Sequence, residues 1–216
     1  MAIDIDKTIA TKLLNTSYTN CVRTPVDTCM IKSTIDFIMN GKNCLTYRYI
    51  MFTALLAKAV NPSVDILSLQ AGDDSEGAYD ARSLASKVVY RFQASLLGNV
   101  LDGSNNDPLV NKPGRFSRLS PNNAAAGGDP RKALQLLCSN LPKIQNSIDA
   151  RQCVDYIVSL LLAEKKNRDA KKVHFDNIAN NMSIFNVRNF MSSLLDKGFG
   201  GAALVLVTTS LYHIQF

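Results

Sequence analysis

Residues 80–98 read DARSLASKVVYRFQASLLG, and their spacing decides the fold class. Leu84, Val88, Val89, Phe92 and Leu96 recur at three to four residues, the apolar stripe of a helix with one face against a core. Asp80 stands where an N-cap is wanted, and Gly98 closes the pattern. Arg82, Lys87 and Arg91 fall on the outer side. Such a cationic face is either the solvated back of an amphipathic helix or a surface for an anionic partner, and helix spacing alone does not choose.

Working outward, the same period returns in both directions. Short helical patterns cover residues 5–16 and 31–39, and LTYRYIMFTALLAKAV (45–60) is apolar enough for a largely buried helix ended by Asn61 and Pro62. A short apolar segment and a Gly/Asp/Ser connection then lead to Asp80. Downstream, Asp129 with Pro130 is expected to cap RKALQLLCSNL, and Ser147 to start IDARQCVDYIVSLLLAEKK. FNVRNFMSSLLDK reads as a helix ended by Gly198, and GGAALVLVTTSLYHI as a final helix or a buried strand. The expectation is a mainly α fold, a single helical domain over residues 1–216 with a possible sub-boundary near 130 and at most a minor β element.

Between the helices, residues 98–130 are crowded with Gly, Asn and Pro and lack sustained periodicity. Irregular loops of that length are uncommon inside compact domains, and those that persist are usually functional or disordered. Asn105, Asn106, Asn111, Lys112, Arg115 and Arg118 fall close together here, with Phe116 among the cations. Arg and Lys pair with guanine edges, Asn with adenine, and all of them hold phosphates. The plainer alternative is a surface loop that Phe116 anchors to the core.

Charge is distributed in the same sense. The chain of 216 residues carries a formal +6, but residues 1–80 are net −2, while 81–131 and 132–216 are each net +4. An excess of this size suits an anionic partner and also occurs on proteins that have none. Of eighteen carboxylates only Glu76 and Glu164 are glutamates, so most are short and suit caps and turns. The start, MAIDIDKTIA, lacks the basic and apolar regions of a signal peptide, and no stretch approaches a membrane span; a cytoplasmic location is expected. Five cysteines without C-x-x-C spacing, and two histidines, make reduced thiols the expectation and not a zinc site.

Hydrolytic chemistry leaves little trace. Metal-dependent phosphodiester cleavage gathers carboxylates that hold Mg²⁺ and a lysine that orients the attacking water. Glu164-Lys165-Lys166 has the E-x-K spelling but ends a helical segment, where Glu164 and Lys166 point about 200° apart. Asp169-Ala170-Lys171 lies in a charged tract with no apolar strand before it. Phosphate-loop, zinc-protease and nucleophile-elbow motifs are absent.

Four blocks are more specific: TALLAKAVNPSVDILSLQAG, GAYDARSLASKVVYRF, LDGSNNDPLVNKPGRFSRLS and GFGGAALVLVTTSLY. In this order they resemble type II restriction endonucleases of the SacI type, over roughly residues 45–120 and more weakly through 212. The resemblance implies an enzyme that recognises a short duplex DNA site and cuts both strands with Mg²⁺, alongside a modification methyltransferase. It implies double-stranded DNA as partner, and a homodimer or a separate nuclease subunit. Arg82, Ser83 and Lys87 in the helix, with Asn105, Asn106, Asn111, Lys112, Arg115 and Arg118 in the loop, become the candidate DNA contacts. The family's catalytic segment is expected after the Gly-Gly block, where this chain stops, so the chain resembles the N-terminal part of such an enzyme. Two alternatives stay open. One is a complete small Mg²⁺-dependent endonuclease whose carboxylates are among Asp65, Asp73, Asp74, Glu76 and Asp80, with Gln70 and Lys87 beside them. The other is a helical protein-interaction domain with an incidental basic face.

Overall fold

The computed structural model describes residues 2–103 and 106–180, with side chains through Lys172. Its elements are helices joined by irregular chain: α1 (Lys7–Arg23), α2 (Lys32–Asn40), α3 (Leu45–Val60), α4 (Ala81–Leu84), a π turn (Ala85–Val89), α5 (Tyr90–Leu96), α6 (Asp129–Asn140), a 3₁₀ turn (Leu141–Lys143) and α7 (Ser147–Asn180). The mainly α expectation holds. Among the described residues β structure is reduced to two isolated bridges, Ile3 with Tyr79 in parallel and Ser68 with Arg118 antiparallel. No helix among them is long and apolar enough to cross a membrane. The chain divides into two compact units, residues 1–166 and 167–216. The candidate sub-boundary near 130 falls at the start of α6, inside the first.

α3 is the hub of the first unit. Every residue from Tyr49 to Ala57 is buried, as a helix apolar on all sides requires, and α1, α2, α4, the π turn and α6 all pack on it. α1 starts at Lys7 because Asp6 caps it, its Oδ1 accepting from the N–H groups of Thr8 (2.7 Å) and Ile9 (3.1 Å), and it runs past the sequence pattern to Arg23. α7 is tied to α1 and the segment just after it by polar contacts. The Ser17 hydroxyl donates to the Asp155 carboxylate, the Cys21 thiol to the Asp155 carbonyl (3.3 Å), and the N–H of Val26 to Ser159 Oγ (2.9 Å). Cys21, Cys29, Cys44 and Cys153 are buried free thiols, and Cys138 is half-buried.

Two local expectations are corrected, and the expected start of α7 at Ser147 holds. Residues 81–96 are not a regular α-helix, because a π turn interrupts them. The buried positions Leu84, Val88 and Phe92, like Ala85, Val89 and Gln93, follow one another every four residues. On an ideal helix that spacing drifts by about 40° per step, and the wider π turn takes up the drift so that both rows keep facing the core. Asp129 is not the cap of α6. Gly128 holds that place at φ 75°, and the Asp129 carboxylate accepts from the N–H of Lys42 instead (2.8 Å). For α7 the capping side chain is Asn146, whose Oδ1 accepts from the N–H of Asp149 (2.9 Å) while its Nδ2 returns to the Asp149 carboxylate (2.7 Å).

The central loop is held from its beginning. Gly98 adopts φ 63° after α5, and the buried Gln93 side chain reaches the loop, accepting from the N–H of Leu101 (3.3 Å) and donating to Asn99 Oδ1 (2.5 Å). Leu101, Leu109 and Leu119 are buried anchors, and Phe116 packs half-buried on the same core. The 181–216 segment, with the expected helix before Gly198 and the Gly-Gly block, lies outside the described residues.

Candidate nucleic-acid interface

The connection before Asp80 and the central loop are stitched into one surface. Leu69 N–H donates to the Ser117 carbonyl and Leu119 N–H to the Leu67 carbonyl, both at 2.8 Å. Gln70 Nε2 donates to the Arg115 carbonyl (2.8 Å). Where these segments meet α4 they enclose a hollow of about 300 Å³ lined by Gln70, Gly72, Asp80, Arg82, Leu109 and Arg115, among others. Residues up to 45 positions apart in sequence thus line one surface depression.

The candidate side chains divide by what already occupies them. Asp80 caps α4, its Oδ1 accepting from the N–H of Ser83 (2.8 Å). Arg82 is exposed, but its Nε donates to Asp107 Oδ2 (2.7 Å) and its Nη2 reaches the same oxygen, so Asp107 holds the guanidinium firmly charged. Arg115 is exposed, its Nε given to the Val110 carbonyl. Lys112 is exposed and lies over the Phe116 ring at 5.9 Å, while Asn106 and Asn111 are exposed in the same loop. Lys87 projects from the π turn into solvent. Asn105 lies outside the described residues.

Arg118 is placed differently. It is half-buried, and its Nη1 bonds the Asp65 carboxylate and reaches Asp73 Oδ2 at 3.4 Å. Burial pushes the Asp65 carboxyl up, but Arg118, the N–H of Leu67 and the Ser75 hydroxyl together outweigh it and hold it below its usual range. Arg118 is an internal brace in this arrangement.

The carboxylates considered for catalysis can be tested for Mg²⁺ in the same terms. Asp65 and Asp73 converge, but on a guanidinium, so they do not offer the open pair of oxygens that a hard cation demands. Asp80 is committed to its cap. Among the described residues no group of three or more Asp, Glu, His or Cys is arranged to hold a metal. Asp65, Asp73 and Asp80, engaged in this way, do not offer the ion an open site. Glu164, Lys166, Asp169 and Lys171 all lie within α7, so neither three-residue spelling brings its acid and base together.

Two participants escaped the sequence reading. Gln70 lines the hollow beside Arg115, a place that its position among the carboxylates 65–80 does not suggest. Asp107 carried no local signal, since its partner Arg82 lies 25 positions away.

Residues 9–165 match the family described as the SacI restriction endonuclease N-terminal domain. The chain belongs to that family. No curated protein matches the chain. The SacI-type N-terminal match runs well beyond the quoted blocks, taking in nearly all of α1, with α2, α6 and half of α7, and it coincides closely with the compact unit 1–166. The Gly-Gly block lies outside it. Membership in the SacI-type family gives the chain a restriction endonuclease role, and so ties it to DNA.

Proposed function

We propose that this domain recognises a short duplex DNA sequence for a type II restriction endonuclease, with Mg²⁺-dependent cleavage supplied by a catalytic unit other than the residues described above. The observation that supports this reading is the hollow in which Gln70, Arg82 and Arg115 meet beside the exposed Asn106, Asn111 and Lys112. An arginine reads the O6 and N7 of guanine, and a glutamine or asparagine reads the N6 and N7 of adenine. Lys87, on the helix next to this loop, suits the phosphate backbone, as do donors that carry no base information. Arg82 can join them once Asp107 gives way to a phosphate or a base.

The test is selection. The full chain is equilibrated, in EDTA, with a pool of randomised duplexes, and the retained DNA is sequenced. Enrichment of a short motif supports the reading, and a two-fold symmetric motif would go with a dimer. Retained DNA indistinguishable from the starting pool would sink it. On the enriched site, Arg115→Ala should lose about 1–3 kcal/mol of cognate affinity while random DNA is held nearly as well.

A further inference from the structure

A second surface concerns how DNA is held, and it rests on the reading above. α1 and the interrupted helix 81–96 contain six basic residues, Lys7, Lys12, Arg23, Arg82, Lys87 and Arg91, and no Asp or Glu. Their sum equals the formal net charge of the whole chain, +6. The two helices are neighbours. α1 packs on the π turn and α5, Ile3 pairs in parallel with Tyr79 just before them, and Tyr18 meets Phe92 edge-on at 6.3 Å. Both contacts join residues about 75 positions apart, so the helices run side by side in the same direction.

The carboxylates at their starts are engaged elsewhere, Asp6 and Asp80 both serving as N-caps. Lys12, Lys87 and Arg91 are exposed, with no carboxylate within ion-pair distance among the described residues. One side of α1 borders about 730 Å³ of open space, and the residues that line it, Lys7, Thr8, Thr11, Lys12 and Asn15 among others, are all cationic or neutral polar. From Lys7 to Arg23 the row extends about 24 Å, roughly seven base-pair steps.

We infer that the paired outer faces of α1 and helix 81–96 form a phosphate track that holds the DNA backbone without reading sequence, with Lys12 and Arg91 as contacts beyond those of the loop. The charge is complementary: neither helix contains an acidic residue, and apart from Arg82, which Asp107 engages, the exposed cations Lys12, Lys87 and Arg91 stand open to a polyanion.

The full chain carrying Lys12→Gln and Arg91→Gln is titrated against a random-sequence 30-bp duplex across a salt series, beside wild type and the Lys12→Arg, Arg91→Lys variant. Each lost phosphate contact takes about 0.9 from the slope of log K against log salt, so the slope should shrink by about 1.8 and binding at 0.1 M salt weaken roughly 60-fold. The conservative variant should keep the wild-type slope, and unchanged thermal melts would show that folding is intact. A double-glutamine slope equal to that of wild type would overturn the track while leaving the recognition reading in place. Wild-type protein that binds no duplex at any salt overturns both.

Discussion

Arg118 shows how a residue's chemistry depends on its company. Its place in a cationic loop suggests DNA contact, yet it lies between Asp65 and Asp73, whose side chains are 17% and 10% exposed. Removing it leaves two largely desolvated carboxylates without their cation, so Arg118→Met should cost about 1–3 kcal/mol in urea denaturation. The pH dependence follows from the depressed Asp65 pKa. Such a group contributes stability above its unfolded value of about 3.9, and that contribution is lost as pH falls through the lower folded value. The deficit of Arg118→Met should therefore be largest near neutrality and shrink below about pH 4. A deficit that grows in acid would mean that Asp65 is not the group involved.

At the scale of elements, the connection that carries Gln70 depends on one backbone position. Gly77 sits at φ 88°, and a Cβ there would meet the Ser63 carbonyl at 2.4 Å and the Asp65 nitrogen at 2.7 Å. The Gly77 carbonyl also accepts from Asp65 N–H at 2.9 Å, closing the segment on itself. Gly77→Ala combines a left-handed backbone with a backbone clash. It should destabilise by about 1–3 kcal/mol in a thermal or urea melt and weaken selective DNA binding by shifting Gln70. A variant as stable as wild type would show that the segment can move aside, and that it does not hold Gln70 rigidly. The π turn makes a related point about legibility. Leu84, Val88, Phe92 and Leu96 stand exactly four apart, and that strict spacing already departs from the helical period. Its consequence, a widened turn, depends on both rows having a core to face.

For the whole molecule, the close agreement between residues 9–165 and the compact unit 1–166 has a direct consequence. Among the described residues the core runs from Ile5 to Leu162, all within that unit. A fragment of residues 1–166 should therefore unfold cooperatively in a calorimetric scan, and a broad, featureless transition would count against an autonomous unit. Helix identity, the buried α3, the closing Gly98 and the irregular loop were legible in the sequence, because apolar period, turn residues and caps are local properties. The charge excess was legible too, and so was the family, through blocks of unusual spelling. What tertiary structure decided was partnership. Arg82 with Asp107, Arg118 with Asp65 and Asp73, and Gln70 with Arg115 join positions 25 to 53 residues apart, and no local pattern encodes which distant carboxylate or carbonyl a side chain will meet. That choice follows from how the helices pack on α3, and it separates the cations that brace the fold from those left facing solvent.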